Sequence, residues 1–235
     1  MIEFFRTIVY IPLFNALVFL YTHLPWEDLG AVIVLLTILI RIVLLPIFYK
    51  TARDQAILQR IAPLVKKIQA EHKGNIEKQG KALMDLYREH RVHPFSGFFL
   101  LLVQLPVIIS LYSLFLHGLT EDAFSDLYSF VVPPDHFNHI AFGGLVLTER
   151  SLFLAALASV AQYVQGIITL LPQKKNPEPL TQAEQIGRNM TYMAPFITFI
   201  FLYFFDLPAA VALYWLTSSI FSAIQQLAIN KTLPS

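Results

Sequence analysis

Apolar residues are arranged along this chain in long stretches that short polar segments separate. Five stretches are long enough to cross a hydrocarbon core of ~30 Å as helices. They are roughly Leu29–Tyr49, Phe95–His117, Leu152–Leu171, Arg188–Phe205 and Ala209–Ile229. The pattern predicts an all-α membrane protein whose five transmembrane helices form a core within residues 29–235.

A further apolar stretch, Phe4–Leu24, precedes the first predicted span. It is long enough to cross a bilayer, but Pro12 and Asn15 would lie unfavourably at mid-depth. We therefore expect residues 1–28 to form an N-terminal interfacial helix on the outer side. A transmembrane helix is the alternative.

The polar segment 50–94 has the pattern of a helical hairpin. Apolar residues at Ile57, Ile61, Leu64, Val65 and Ile68 would form one helical face, with Pro63 limiting its regularity. Gly74-Asn75 breaks that helix, and a second amphipathic helix runs to His93-Pro94. Two interpretations stay open, namely a packed basic loop facing anionic lipid, or a docking element for a substrate or partner.

Composition and charge agree with a membrane protein and orient it. Hydrophobic residues make up 56% of the chain and charged residues 14%, against about 25% charged in soluble domains. Residues 50–91 hold ten Lys or Arg and five acids, whereas residues 118–151 hold one Arg and five acids. The positive-inside rule therefore places 50–94, 172–188 and the C-terminus in the cytoplasm, and 118–151 outside.

No familiar catalytic chemistry is present. The chain has no cysteine, no phosphate-binding loop and no nucleophile motif. His136 and His139 lie three residues apart in the outer segment, which is a weak indication of a metal site. We expect no enzyme activity, no cofactor, no metal and no nucleic-acid specificity.

Arg41 is the one charge inside the first predicted span. A guanidinium stays protonated, and at mid-membrane it costs about 2.5–3.5 kcal/mol on insertion scales. No predicted span contains an acidic partner for it. We therefore expect a functional charge, with a boundary arginine that reaches toward the membrane surface as the alternative.

Polar side chains recur on several predicted spans and could enclose that charge. Thr37 lies one turn before Arg41, and Gln104 lies in the second span. The third span carries Ser159, Gln162, Gln165 and Thr169, and the last carries Tyr214, Ser218, Ser222 and Gln225. These faces would either converge on a hydrophilic cavity or make ordinary hydrogen bonds between helices.

The same features, in the same order, are those of a known family. The first span reads T-x-x-x-R-x-x-x-x-P from Thr37 to Pro46, and the polar hairpin ends LYREHRVHPFSG. The second span contains LLLVQLPVIISLY, and the last reads LPAAVALYWLTSSIFSAIQQ. Over about residues 10–230 the chain resembles the YidC family of membrane protein insertases, which are related to mitochondrial oxidase-assembly and chloroplast albino proteins, in its short bacterial form.

The resemblance implies a function and a site. Such proteins insert and fold nascent membrane proteins without ATP, through a groove open to the cytoplasm and to lipid. It implies that Arg41 is the positive charge of the groove and that Thr37 and Trp215 lie on the substrate path. The residues that we predict for this groove are Arg41, Thr37, Gln104, Gln162, Tyr214, Trp215 and Ser218.

The resemblance also implies a location and partners. We expect a bacterial plasma membrane, with the bilayer, nascent membrane proteins, the Sec translocon and the ribosome as partners. The chain departs from the family pattern at His93, where Asn is usual, at the Ala209-Ala210 pair, where Gly is usual, and at Ser219, where Asn is usual. The competing functions are a small transporter or anion channel with Arg41 as counter-charge, and an assembly factor that only scaffolds partners.

Overall fold

The protein is predominantly helical, as the sequence predicts. The computed structural model describes residues 2–25, 27–93, 96–118, 121–170 and 182–232, without the side chains of 2, 96–103, 117–118, 121–123, 182–184 and 232. The described helices are α1 Ile2–Phe5, α2 Ile11–His23, α3 Leu29–Val43, α4 Leu45–Arg60, α5 Ala62–Glu71, α6 Ile76–Glu89, α7 Ser96–Ser113, α8 Leu152–Leu170, α9 Gln182–Phe204 and α10 Ala209–Thr232. The predicted cytoplasmic loop 172–188 lies mostly outside the described residues.

Two of the described helices are long and apolar enough to cross a membrane, Glu3–His23 and Leu152–Leu170. Glu3–His23, the N-terminal helix, is continuous through one π-helical stretch at Arg6–Tyr10. The pair α3 and α4 would make a third crossing if it counts as one bent span. The predicted number of five spans therefore stays a prediction.

The first predicted span is divided by a sharp bend. Helix α3 ends at Val43, α4 begins at Leu45, and the two axes differ by 64°. Pro46 explains the position of the bend, because its ring lacks an N–H and would clash with the carbonyl of Ile42 in a continuous helix. The bend turns α4 away from the axis of α3 immediately after Arg41.

Helix α4 continues through the predicted start of the cytoplasmic hairpin. Its last residue is Arg60, and α5 begins at Ala62 with Pro63 in its first turn, where a missing N–H costs nothing. Helices α5 and α6 pack together around a small cluster of Ile61, Leu86 and Val92. Burial beside this cluster raises the pKa of the Tyr87 phenol, so its ring stays neutral.

We call segment 118–151, which the sequence predicts to lie outside, the outer segment. It contains a short antiparallel hairpin of β1 Ile140–Ala141 and β2 Leu145–Val146. Its turn has positive φ at Phe142 (50°) and Gly143 (76°), the geometry of a type I′ turn. Gly30 at the start of α3 lies against this hairpin, since a Cβ there would come within 2.5 Å of the Ala141 Cβ. The hairpin therefore rests directly on the first turn of α3.

Backbone groups of the outer segment also satisfy the ends of two helices. The carboxylate of Asp28 accepts hydrogen bonds from the N–H groups of Gly30 and Ala31, and from that of Phe142 at 2.7 Å. At the start of α10, the N–H groups of Ala209 and Ala210 donate to the carbonyls of Glu149 and Leu147, which follow β2, at 2.7 and 3.1 Å. These contacts hold the outer ends of α3 and α10 together.

The N-terminal helix is fastened to the same outer segment along its length. Arg6 pairs with Asp126 at 2.6 Å, and the Asn15 amide bonds the backbone of Asp126 and Tyr128. Further along, the Tyr21 hydroxyl accepts from the N–H of Asn138 at 3.0 Å. Contacts to residues 126–138 thus begin one turn into this helix and continue almost to its end.

The apolar core lies where the outer halves of α3, α8 and α10 meet the N-terminal helix. Helices α8 and α10 pack against each other, and both carry small buried side chains that allow backbones to approach closely. They are Ala155, Ala158, Ala209, Ala210 and Ala212, all essentially buried. In a bilayer such contacts stabilise a bundle through close packing, because lipid is as apolar as the protein core.

Asp28→Ala tests the fastening of α3 to the outer hairpin. We expect it to lower the free energy of unfolding by about 1–3 kcal/mol, because it removes a helix cap and leaves the Phe142 N–H without its acceptor. The measurement is thermal unfolding of the purified protein in detergent micelles. Asp85→Ala is the control, since Asp85 is an exposed carboxylate of α6. Equal shifts in Tm for the two variants would contradict the prediction.

Candidate functional site

Arg41 lies buried in the last turn of α3, with 7% of its surface exposed. One guanidinium nitrogen, Nη2, donates to the Ser218 hydroxyl of α10. The guanidinium also lies over the Phe48 ring of α4, 4.4 Å from the ring centroid. Among the described residues, Nη1 has no hydrogen-bond partner and no carboxylate pairs with the guanidinium.

Arg41 lines a cavity of about 330 Å³. Six helices supply its walls, namely α3, α4, α7, α8, α9 and α10. The lining residues are Arg41, Phe48, Ala52, Gln55, Gln104, Gln162, Gln165, Gly166, Thr169, Thr191, Ala194, Trp215, Ser218, Ser219, Ser222, Gln225, Gln226 and Ile229. Arg41 is the only charged residue among them, and most of the others carry a neutral amide or hydroxyl.

The cavity occupies one end of the helical bundle. On α8 the lining residues run from Gln162 to Thr169, near the end that leads into segment 171–181. On α10 they run from Trp215 to Ile229, toward the C-terminus. These are the ends that the basic residues place in the cytoplasm. The opposite ends of the same helices form part of the apolar core, so the polar space lies in the half of the bundle that the charge distribution predicts to be cytoplasmic.

Five of the seven predicted groove residues line the cavity: Arg41, Gln104, Gln162, Trp215 and Ser218. Gln162 of α8 organises one wall, because its Oε1 accepts from the Trp215 indole N–H at 2.8 Å and from the Ser219 hydroxyl at 3.3 Å. This pair of bonds ties α8 to α10 beside the cavity. It also fixes the ring of Trp215.

The other two predicted residues lie behind the wall. Tyr214 is 2% exposed, and its hydroxyl accepts from Gln104 Nε2 at 2.6 Å, which joins α10 to α7. The Thr37 hydroxyl donates to the carbonyl of Ile33 in its own helix at 2.6 Å. Each supports the cavity from behind rather than lining it.

The predicted site lacked the contribution of α4. Phe48, Ala52 and Gln55 line the cavity, although 50–94 was assigned to a separate hairpin. From Arg41 onward these residues follow at successive intervals of 7, 4 and 3 residues. Such intervals are typical of one face of a helix, so the sequence does contain this signal. On α9 the cavity residue Thr191 lies against Gly166, where a Cβ would come 2.7 Å from the Thr191 methyl.

No group of three or more His, Asp or Glu side chains among the described residues could hold a metal ion. The donor atoms of the cavity are nitrogen and hydroxyl groups on neutral side chains, apart from the guanidinium. Such a set is suited to hydrogen bonding with polypeptide or lipid groups and offers a hard cation no carboxylate ligand.

A buried cation in a polar cavity at one end of an apolar helical bundle defines a membrane protein with an internal polar site. Comparison with known proteins then gives its family. The family described as 60Kd inner membrane protein matches residues 19–235, and the chain belongs to this family. The resemblance seen in the sequence is thereby confirmed.

Individual relatives carry the description membrane protein insertase YidC. The chain is similar to the relative from Geotalea daltonii, with 28% identity over 95% of this chain and 37% of that protein. Against the relative from Wolinella succinogenes the identity is 31%, over 94% of this chain and 37% of that protein. The chain thus spans about two fifths of the length of these relatives. The relative from Fusobacterium nucleatum is 29% identical over 87% of both chains.

Thiol labelling can test whether the cavity is hydrated and reached from the cytoplasm. Because the chain has no cysteine, Ser222→Cys introduces a single thiol on the cavity wall. We expect a membrane-impermeant maleimide to label it in inverted membrane vesicles, since the reaction needs the thiolate and therefore water. Ile224→Cys is the control on the same helix, because Ile224 is 63% exposed and does not line the cavity. Equal labelling of both thiols would contradict a wet cavity in an apolar surround.

Proposed function

We propose that this protein inserts other membrane proteins into the bilayer and assists their folding, without ATP. The observation that carries the proposal is the buried Arg41 guanidinium, which lines a polar cavity and has one nitrogen without a hydrogen-bond partner among the described residues. Relatives that bear the description membrane protein insertase YidC support it.

The cavity lowers the barrier that a client protein meets at the membrane. A client's polar tail must cross apolar lipid, where each unsatisfied polar group costs several kcal/mol. A polar space that reaches into the cytoplasmic half of the membrane shortens that apolar distance. The positive charge of Arg41 attracts acidic groups on the tail. The client's own apolar segment then partitions into lipid, at about 0.8 kcal/mol per buried CH₂ group.

The closed outer half argues against the transporter or channel alternative. A solute pathway would need polar walls through both halves of the membrane, but the described outer halves of α3, α8 and α10 form apolar core. The outer hairpin adds a cover over the start of α3. The alternative would also produce solute flux in vesicles without a client, whereas an insertase would not.

The proposed architecture has five spans, made by the α3–α4 pair, α7, α8, α9 and α10. Helices α9 and α10 have 23 and 24 residues, which exceeds the ~20 residues a span needs. Their serine, threonine and glutamine residues lower their hydropathy, which is the expected consequence of facing a polar cavity. Helices α5 and α6 lie outside the spans in the cytoplasm, where they would meet a client first.

The proposed position of the N-terminal helix is the outer membrane interface. Arg6, Asn15 and Tyr21 all contact residues 126–138 of the outer segment. Arg6 and Tyr21 are separated by about 22 Å along a helix axis. A helix that crossed the bilayer upright would meet an outer segment near one end only. Contacts over such a length favour a helix that lies along the outer surface.

Nascent membrane proteins and the lipid bilayer are the partners that this function requires. The Sec translocon and the ribosome are partners implied by the resemblance alone. The basic segments favour a cytoplasmic C-terminus, and the proposed location is the plasma membrane of a bacterial cell.

Arg41→Ala tests the role of the charge. In liposomes that contain the purified protein, we expect insertion of a single-span client with an acidic tail to slow about tenfold to a hundredfold, the range for losing a hydrogen bond to a charged group. Protease protection of the client measures insertion. Arg41→Lys keeps the charge and should retain most of the activity.

Arg53→Ala is the matched control for this experiment, because Arg53 is an exposed arginine of α4 that does not line the cavity. Equal insertion by the wild type and Arg41→Ala would remove Arg41 as the working charge. Solute leakage from client-free liposomes would instead favour the channel.

Single cysteines at both ends of the N-terminal helix test its position. Thr7 and His23 are exposed positions near its two ends. We expect an impermeant thiol reagent added to intact spheroplasts to label both Thr7→Cys and His23→Cys, because both ends lie outside. If Thr7→Cys reacts only in inverted vesicles, the helix crosses the membrane.

A further inference from the structure

Glutamine is the most frequent residue on the wall of the cavity. Six of the lining residues are glutamines, namely Gln55, Gln104, Gln162, Gln165, Gln225 and Gln226, and all six are partly exposed. They come from four different helices, α4, α7, α8 and α10. A wall that had only to be wet could be built from serine and threonine, so this concentration of amides calls for a more specific explanation.

A glutamine side chain has the hydrogen-bonding groups of a peptide bond, one carbonyl acceptor and one N–H₂ donor group. It can therefore bind a polypeptide backbone whatever side chains that backbone carries. The backbone is also the part of a client that is hardest to move into the membrane, because an extended segment has unpaired N–H and C=O groups at every residue.

Hydrogen bonds between cavity residues already use some of the donor and acceptor groups of these glutamine amides. The Oε1 of Gln162 already accepts two hydrogen bonds, from Trp215 and Ser219. Its carbonyl is therefore in use, and the N–H₂ group is the end that remains for a ligand. This arrangement orients the Gln162 amide with its donor end free.

Two further donors lack any partner among the described residues. They are Gln225 Nε2 and Arg41 Nη1, both buried and both on residues that line the cavity. A buried donor without an acceptor costs about 1–3 kcal/mol, so each favours a ligand that supplies an oxygen atom. Both unpartnered buried atoms on the described lining residues are thus donors.

We infer that the glutamines of the cavity, Gln225 foremost, bind backbone carbonyl oxygens of an extended client segment, while Arg41 acts on the client's charge. This inference rests on the proposed insertase function and names the client group that the cavity recognises. It separates two contributions: binding by amides, which does not depend on client sequence, and attraction by the guanidinium, which does. A client with a neutral tail therefore depends on the glutamines more than on Arg41.

The test uses a synthetic single-span client with a neutral tail, prepared with ordinary amide bonds or with ester bonds at several tail positions. An ester carbonyl is a weaker acceptor than an amide carbonyl, and the side chains are unchanged. Insertion of each client into liposomes is measured by protease protection, with the full-length wild type and with Gln225→Leu. We expect Gln225→Leu to slow the amide client about threefold to tenfold, the effect of one neutral hydrogen bond.

For the ester client the same substitution should change the rate less than about twofold, because the interaction it removes is already weakened. Gln225→Glu keeps the size of the side chain and replaces its donor with an acceptor, so it should be at least as slow as Gln225→Leu with the amide client. Gln79→Leu, on α6 and away from the cavity, should behave as the wild type with both clients.

Equal slowing of the amide and ester clients by Gln225→Leu would overturn the inference, because the glutamine would then act without contacting the backbone. Wild-type activity of Gln225→Glu would overturn it as well. If the wild type inserts neither the amide client nor the ester client, and also fails to insert a client with an acidic tail, the proposed function and this inference are both overturned. The two failures are therefore distinguishable in one set of liposomes.

Discussion

A guanidinium that cannot lose its proton is the constraint around which the polar half of this protein is built. In lipid the charge of Arg41 would be costly, and the described residues include no carboxylate that pairs with it. The protein instead surrounds it with the Ser218 hydroxyl, the face of the Phe48 ring and a cavity lined mostly by neutral polar side chains. Neutral polar groups can solvate the charge without cancelling it. In the proposed function, the charge therefore remains available to a client.

The opposite half of the bundle follows a different rule, in which the outer segment satisfies exposed helix ends. Asp28 serves both the first turn of α3 and the outer hairpin, and backbone carbonyls near Leu147 and Glu149 serve the start of α10. With the alanine contacts between α8 and α10, these bonds make the outer half compact. The apolar core therefore occupies one half of the bundle and the cavity the other.

Much of this arrangement could be predicted from sequence, because its strongest signals are local. Runs of apolar residues gave the helices, the distribution of lysine and arginine predicted the sides of the membrane, and an isolated Arg41 indicated the site. What could not be predicted depends on contacts between distant segments. The burial of Tyr214 behind Gln104, and of Thr37 against its own helix, is set by packing. The bend at Leu44, which brings Gln55 to the cavity, combines a local proline with the tertiary position of α4.

The charge pattern of the cavity has a consequence for the electrical insulation of the membrane. Among the described residues, its lining includes one fixed positive charge and no Asp, Glu or His. A proton wire through a protein usually passes along titratable side chains, and a fixed cation raises the energy of any cation that enters. If the proposed function holds, a cell that drives its chemistry with a proton gradient needs an opening in the membrane that polypeptide can enter and protons cannot cross. The glutamine and serine side chains offer hydrogen bonds from neutral groups, and the one arginine repels cations. Together they meet that need.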